Sequence, residues 1–187
     1  MQFKKMEKIG AGQFIHRYDL TYETKDFREK KYEIISRKSN LSDIGQIKNA
    51  PSDGVVMVIH DETGEKILLN REFRLSVGDW VMNFPAGLID EGESPEEAAI
   101  RELKEETGLD LIKITDVLPA SFSAIGFSDE KNTCVVGVAS GSFSESNSVF
   151  EEISARFYSR QEVSELLKTQ VFAGRTQSYC YIWSKNP

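Results

Sequence analysis

Residues 87–109 read GLIDEGESPEEAAIRELKEETGL, a glycine-containing loop followed by a segment rich in glutamate. Ser94 precedes Pro95 and stands three positions before Glu97, which is the pattern of an N-cap, a first-turn proline and a capping box. Gly108 can adopt the left-handed conformation that ends a helix. We therefore predict a helix that begins at Pro95 and ends just before Gly108.

The predicted helix has one side that we expect to be buried and one that is acidic. At about 100° per residue, the buried side gathers Ala99, Ile100, Leu103 and Thr107. Positions three and four apart are neighbours on a helix, so an adjacent stripe gathers Glu102, Glu105 and Glu106. Three carboxylates are thus expected on one face.

A solvated acidic surface is the simplest interpretation of such a charge run. However, like charges at these spacings repel by roughly a few tenths of a kcal/mol per pair. Arg101 and Lys104 cannot neutralise a patch that also contains Glu93 and Glu97. Divalent cations would make the patch favourable, because Mg²⁺ takes oxygen ligands and meets substrate phosphates through them. The segment at residues 85–87, which contains glycine, would let backbone groups come close to the same ions.

The spacing of these residues resembles the Nudix box of the Nudix hydrolase superfamily, G-x5-E-x7-R-E-U-x-E-E-x-G-U, where U is aliphatic. The matching residues are Gly87, Glu93, Arg101, Glu102, Leu103, Glu105, Glu106, Gly108 and Leu109. The resemblance implies hydrolysis of a nucleoside diphosphate linked to another moiety, with Glu102, Glu105 and Glu106 as metal ligands. It also implies that Arg101 orients these glutamates and that the preceding loop packs against the helix.

Length and charge limit the classes of partner. The chain has 187 residues, which is long enough to bury a substantial core. Its net charge of −7 argues against nucleic acid as the main partner, because phosphate-backbone binding depends on clustered lysine and arginine. We find no signal-peptide pattern and no long apolar stretch, so we expect a cytoplasmic protein outside the membrane. Cys134 and Cys180 are expected to be free thiols.

The sequence pattern divides the chain into two parts, an N-terminal β arm at residues 1–48 and a Nudix hydrolase domain at residues 49–187. In residues 10–37, aromatic and β-branched residues alternate with charged ones, which predicts two or three antiparallel strands. Such a piece is too small to be stable alone, so we expect it to lean on the main domain or on a second subunit. Residues 39–52 are polar and predict a linker.

The second part has the pattern of a mixed α/β domain. Strands are predicted at residues 54–59, 66–74, 80–84, 117–123, 133–140 and 152–158. Ser159 and Glu162 form a second capping box, which predicts a helix that ends near Thr169. A terminal helix is predicted at residues 177–183, with Tyr179, Ile182 and Trp183 facing inward. These elements fit an α/β/α sandwich with a mixed central sheet, the fold that the resemblance also implies.

The segments REFR at residues 71–74 and FPAGLID at residues 84–90 resemble the ADP-ribose pyrophosphatase branch of the superfamily. In that branch an arginine at the position of Arg74 contacts the diphosphate, and the carbonyl at the position of Ala86 completes a metal shell. A planar guanidinium suits phosphate oxygens, which agrees with this role. A solvated arginine at a strand end is the alternative.

The resemblance extends to the N-terminal arm. In relatives with such an arm, two aromatic residues clamp the adenine ring, often across a dimer interface, and an arginine follows the second. Phe14 and Tyr32 stand at the matching positions, and Arg37 follows. Aromatic rings stack well on a flat base. The alternative is that Phe14 and Tyr32 pack the arm against the core. We expect a homodimer.

The reaction also needs a carboxylate within hydrogen-bond reach of the attacking water. In this branch the carboxylate comes from a loop ahead of the last strand of the sheet. Glu152 matches this position best, and Glu151 and Glu145 remain candidates. Residues 141–149 have the small, polar composition of such a loop.

Two positions depart from the branch pattern and leave the substrate open. Ile125 stands where a proline is typical, and Asn83 stands where a glutamate is common. We predict a pyrophosphatase, dependent on Mg²⁺ or Mn²⁺, that splits ADP-ribose or a related nucleoside diphosphate sugar into AMP and a sugar phosphate. A GDP-mannose or other nucleotide-sugar pyrophosphatase is the first alternative. A sensor that binds nucleotide without hydrolysis is the second.

Overall fold

The computed structural model describes residues 1–144 and 152–186. The candidate bases Glu145 and Glu151 therefore lie outside the described residues. The chain forms two compact units, one of Met1–Asp53 with Ala120–Asn132, and one of Gly54–Pro119 with Thr133–Pro187. The sequence pattern did not indicate that a later segment joins the N-terminal unit.

The N-terminal unit contains an antiparallel sheet of three strands in the order β1-β2-β3. The strands are β1 (Gln2–Ala11), β2 (His16–Glu23) and β3 (Glu29–Ser36). The predicted antiparallel arm is thus found, and its first strand begins earlier than expected. The predicted linker is wrong in part, because α1 (Ile44–Lys48) forms within it under a capping box of Asp43 and Gln46.

A small core of its own supports this unit. The core consists of Met6, Tyr18, Leu20, Ile34, Leu41 and Ile47. The hydroxyl of the fully buried Tyr18 donates to the carbonyl of Lys38 at 2.7 Å and accepts from the amide of Leu41 at 3.3 Å. These bonds tie the segment that follows β3 to the sheet. The sequence pattern missed this packing because its apolar residues are scattered through a polar stretch.

The second sheet has seven strands, and its main path runs β10-β5-β4-β9-β8. The strands are β4 (Gly54–His60), β5 (Lys66–Arg74), β6 (Asp79–Asn83), β7 (Ala86–Leu88), β8 (Asp110–Phe122), β9 (Lys131–Ser140) and β10 (Ile153–Ser159). β6 pairs with β5, and β7 pairs with β4. The predicted strands are found, but β8 begins directly after the box rather than at residue 117. Its residues are exposed or half-buried throughout, so the apolar signal of a strand is weak there.

Three helices cover this sheet: α2 (Pro95–Thr107), α3 (Arg160–Thr169) and α4 (Gly174–Lys185). α2 packs on one face, where Leu103 joins a core with Met57 and Leu68. α3 and α4 supply Val163 and Trp183 to a second core on the other face. The predicted α/β/α sandwich with a mixed central sheet is confirmed. Among the described residues, no helix is long and apolar enough to span a membrane.

Two predicted helix faces need correction. On α2, Ile100 is 49% exposed, while Glu106 is buried, so the packed face is rotated towards the acidic stripe. On α4, Trp183 is buried as expected, but Tyr179 is 36% exposed and Ile182 is 61% exposed. The inward residue one turn earlier is Cys180, a free thiol whose pKa is raised to about 12 by burial.

Candidate active site

The capping signals around α2 fix the start and end of the acidic helix as the sequence predicted. The Ser94 side chain accepts from the amide of Glu97 at 3.2 Å, and the Glu97 carboxylate accepts from the amide of Ser94 at 2.8 Å. Gly108 has a φ of 79° and donates to the carbonyl of Lys104 at 2.9 Å, which closes the last turn. The carboxylates of this helix therefore project from a backbone that is held at both ends.

Arg101 is the centre of the acidic face. Its Nε and Nη2 donate to the two carboxylate oxygens of Glu93 at 2.9 and 2.8 Å. Its Nη1 donates to Glu102 at 2.8 Å and to Glu105 at 3.4 Å. One guanidinium thus binds three carboxylates, and the bidentate pair with Glu93 fixes its plane. These contacts fit the orienting role that the resemblance implies for Arg101.

The same guanidinium ties the preceding loop to the helix. Arg101 Nη2 also donates to the carbonyl of Leu88 at 3.0 Å, and the amide of Asp90 donates to Glu93 at 3.0 Å. Gly92 has a φ of 86°, so the turn of this loop favours glycine. The hydrogen bonds that Arg101 donates to Glu93 lower the pKa of the Glu93 carboxyl below its usual value and raise the pKa of Arg101. Glu93 is therefore ionised across the neutral range.

Gly87 brings β7 into contact with the acidic face. A side chain on Gly87 would collide with the Glu102 carboxylate, because that carboxylate lies directly over the glycine backbone. Ala86, the proposed carbonyl ligand, is the preceding residue of β7 and pairs with Val56 of β4. Ala86 therefore directly precedes Gly87, the residue that packs against the Glu102 carboxylate.

Glu106 is the buried carboxylate of the acidic face, with 8% of its surface exposed. Its Oε2 accepts a hydrogen bond of 2.8 Å from the side-chain nitrogen of Asn70 on β5. Burial of a charged group is costly without such partners. This bond joins the acidic helix to the central sheet.

The strand β5 carries a row of polar residues on the side that faces α2. Leu68 belongs to the core beneath α2, and successive alternate residues of a strand share a face, so Asn70, Glu72 and Arg74 continue the same row. Glu72 accepts from Asn83 at 3.0 Å and lies 3.7 Å from the Arg74 guanidinium. Arg74 ends the strand with its side chain 57% exposed. The row of polar side chains on β5 therefore begins at Asn70, which bonds Glu106, and ends at the accessible Arg74.

Glu152, the proposed base, lies at the same end of the sheet as Arg74. Its carbonyl accepts from the amide of Phe73 at 3.0 Å, and its neighbour Ile153 pairs with Glu72. The Glu152 residue is exposed. The role of Glu152 stays a prediction, as does the choice between it and the two glutamates outside the described residues.

The proposed base-binding residues all lie in the N-terminal unit. Phe14 is 67% exposed in the loop between β1 and β2, and Tyr32 on β3 is 42% exposed, with its hydroxyl donating to the carbonyl of Gly126. Arg37 follows β3 and lies 3.5 Å from Glu130. The exposure of both rings disfavours the alternative that they pack into a core.

The side chains around Glu106 fit a hydrated divalent cation. In residues 1–144 and 152–186, no group of three or more His, Cys, Asp or Glu side chains is arranged to hold a metal ion. Mg²⁺, however, usually keeps several waters and is bound through one or two carboxylates together with substrate phosphates. The Oδ1 atom of Asn70, buried beside Glu106, has no hydrogen-bond partner among the described residues. A carboxylate next to a free acceptor suits the protons of cation-bound water.

Comparison with known proteins agrees with this geometry. Residues 50–178 match the model of the NUDIX domain. The chain belongs to the Nudix family. It is 32% identical over 124 residues to an ADP-ribose pyrophosphatase of Bacillus subtilis, covering 66% of this chain and 58% of that protein. It is 33% identical over 103 residues to an ADP-sugar pyrophosphatase of Mus musculus, covering 54% of this chain and 45% of that protein. The chain thus spans about half the length of these curated relatives.

A solved structure shares the complete Nudix fold of this chain. The crystal structure of an ADP compounds hydrolase aligns with a TM-score of 0.71 over 97% of this chain and 91% of that one. The sequence identity in this alignment is 21%, so the likeness concerns the fold.

The Nudix box was found from the sequence, but the contact of Asn70 with Glu106 and that of Glu72 with Arg74 were not. Asn70 and Glu72 are polar residues in phase with the buried Leu68, and that phase is the signal that could have revealed them. Both residues were overlooked because the strand is short and the second half of β5 carries charged residues on both of its faces.

Proposed function

We propose that this Nudix protein hydrolyses the diphosphate bond of ADP-ribose or a related ADP-sugar to give AMP and a sugar phosphate. The observation that carries the proposal is the hydrogen bond between Asn70 and Glu106, because it sets the acidic face of α2 against the row on β5 that ends at Arg74. The names of the B. subtilis and mouse relatives support the choice of an ADP-sugar.

The divalent cation of this reaction would be held by Glu102, Glu105 and Glu106, with the Ala86 carbonyl as a further oxygen ligand. All these groups offer hard oxygen donors, which suit Mg²⁺ or Mn²⁺. When bound, the cation would neutralise diphosphate charge and lower the pKa of bound water. Arg101 would keep Glu102 and Glu105 oriented, since it already donates to both.

Arg74 would bind the diphosphate through its guanidinium. The side chain is accessible, and its planar array of donors matches two phosphate oxygens. Glu72, which is buried beside it, would hold the guanidinium in place through the 3.7 Å ion pair. Loss of this orientation would weaken substrate binding more than the chemical step.

Glu152 would act as the general base. Its carboxylate would take a proton from a water molecule while the water oxygen bonds to phosphorus and the bridging P–O bond breaks. The leaving phosphate then carries the electrons of that bond. Exposure of Glu152 at the Arg74 end of the sheet supports this role.

Phe14 and Tyr32 would stack on the adenine, with Arg37 beside it. Their exposure leaves both rings accessible to a base. The strand register pairs Leu20 with Tyr32 and His16 with Ser36, so Tyr32 lies roughly 13 Å along β3 from the end that carries the Phe14 loop. This spacing favours a clamp built from one ring of each of two copies, and hence a homodimer.

A panel of nucleotide sugars tests the proposal. Purified protein with Mg²⁺ or Mn²⁺ is incubated with ADP-ribose, ADP-glucose, GDP-mannose and UDP-glucose, and nucleoside monophosphate release is measured by chromatography. We expect the highest kcat/KM for an ADP-sugar. A preference for GDP-mannose would instead establish the first alternative, and tight binding with no turnover of any compound would establish a sensor.

A further inference from the structure

Asn70 occupies a position where the fold favours an apolar side chain. It lies on β5 between pairing partners Asn83 on β6 and Ala155 on β10, on the side of the sheet that packs against α2. Only 1% of its surface is exposed. An amide buried to this extent costs free energy unless its donors and its acceptor are satisfied.

The orientation of the Asn70 amide follows from its partner. The nitrogen of the amide faces the Glu106 carboxylate, whose Oε2 accepts its hydrogen bond at 2.8 Å. The amide oxygen then points away from the carboxylate. Among the residues that the structure describes, this oxygen has no hydrogen-bond partner.

Buried acceptors without partners are rare, and each calls for an explanation. Water bound to a divalent cation donates strong hydrogen bonds, and Mg²⁺ retains several such waters in protein sites. This oxygen belongs to the same amide group whose nitrogen donates to the Glu106 carboxylate of the acidic face. A hydrated cation at that carboxylate would supply the donor that the amide oxygen lacks.

We propose that Asn70 is a positioning residue of the cation site: its amide nitrogen fixes the Glu106 carboxylate, and its amide oxygen accepts a hydrogen bond from a water of the hydrated divalent cation. The inference rests on the proposed function, because it takes Glu106 as a cation ligand. Asn70 thereby joins the central sheet to the chemistry of the acidic helix.

Cation affinity without nucleotide is the direct test. Mn²⁺ binding to the full chain is measured by isothermal titration calorimetry for the wild type and for Asn70→Leu, which replaces the amide with a side chain of similar size. We expect the Kd to rise by about 10-fold or more, the range found when a second-shell partner of a metal ligand is lost. Asn70→Ser, which is too short to reach Glu106, should do the same and serves if the leucine variant does not fold.

The matched control is Asn83→Leu. Asn83 is a buried amide directly opposite Asn70 in the sheet, but it donates to Glu72 rather than to a box glutamate. We expect its Mn²⁺ affinity to stay within about twofold of the wild type, whatever happens to its thermal stability. If Asn70→Leu lowers the melting temperature and leaves the Mn²⁺ Kd unchanged, Asn70 is structural and the proposal is wrong.

A double-mutant cycle separates the positioning role from a general effect. In the Glu106→Gln background, Asn70→Leu should weaken Mn²⁺ binding far less than it does in the wild type, whereas an equal loss in both backgrounds would overturn the proposal. The outcome is independent of hydrolysis. A protein that loses Mn²⁺ affinity on Asn70→Leu but turns over no nucleotide sugar would contradict the proposed function and leave the role of Asn70 standing.

Discussion

Single residues set the geometry of the acidic face by contacts that depend on their size and charge. Glycine at position 87 admits the Glu102 carboxylate against the backbone, and the guanidinium of Arg101 binds Glu93, Glu102 and Glu105 together. Neither contact tolerates a conservative change, because the first leaves no room for a methyl group and the second uses the planar fork of arginine.

We expect Gly87→Ala to reduce activity by displacing Glu102. The added methyl group would overlap the carboxylate, so the side chain must leave its contact with Arg101. The measurement is kcat for ADP-ribose, and the predicted loss is at least about 10-fold, as for other disturbed metal-ligand shells. Gly174→Ala is the control, because a methyl group at Gly174 would meet no atom within 4 Å among the described residues. Equal activities of the two variants would contradict the contact.

The ion pair of Glu93 with Arg101 makes stability depend on pH. Because Arg101 lowers the pKa of Glu93 in the folded protein, the stabilisation is fully present above the ordinary glutamate pKa of about 4.3 and is lost as the pH falls through the lower folded value. We therefore expect the difference in urea midpoint between wild type and Glu93→Gln to be largest near neutral pH and to shrink on acidification.

The exposed Glu91 in the same loop provides the control for this pH dependence. Glu91→Gln should show a much smaller difference from the wild type across the same pH range. A gap between wild type and Glu93→Gln that stays constant from pH 7 to about pH 3 would show that the ion pair does not stabilise the fold.

At the scale of elements, the sequence predicted what local signals specify. The capping boxes at Ser94 and Ser159 gave both helix starts, since side-chain hydrogen bonds to the first turn need only neighbouring residues. α1 was missed because its five residues carry little periodic signal. The burial of Glu106 in place of Ile100 was missed because rotation of a helix depends on the sheet beneath it, and Asn70 supplies the partner that makes this burial possible.

The two capping boxes allow a matched prediction. Ser94→Ala and Ser159→Ala each remove one N-cap bond, and each should lower the free energy of unfolding by about 1 kcal/mol in urea titrations. Only Ser94→Ala should also lower kcat, because the first turn of α2 adjoins Glu93 and its bond to Arg101. If the two variants lose activity equally, the effect is one of general stability.

At the scale of the whole molecule, the two units have different tasks in our proposal. The unit with α2 carries the carboxylates and Arg74, and the N-terminal unit carries the aromatic residues proposed to bind adenine. The family model covers residues 50–178, so it reaches the box but not β1, β2 and β3. The alternating pattern of residues 10–37 predicted the strands of the arm, but its proposed role in binding adenine came from the resemblance alone. The proposed pairing of two copies depends on surfaces that no local pattern encodes.

We expect Phe14→Ala to raise KM for ADP-ribose by about 5-fold or more at nearly unchanged kcat, since loss of a stacked ring costs about 1 kcal/mol or more of binding. Thermal stability should hardly change, because the ring is 67% exposed. Phe27→Ala is the control: Phe27 is an 84% exposed phenylalanine in the other hairpin loop of the same sheet. A KM equal to that of Phe27→Ala would remove Phe14 from the substrate site.

The most direct test of the central claim is release of AMP from ADP-ribose by the purified full chain, followed by chromatography with and without Mg²⁺. We predict stoichiometric AMP and ribose phosphate in the presence of Mg²⁺, loss of turnover in excess chelator, and loss of turnover in Glu106→Gln with the fold retained. Turnover by Glu106→Gln at the wild-type rate, or the absence of hydrolysis of any nucleoside diphosphate sugar by the wild type, would contradict the account.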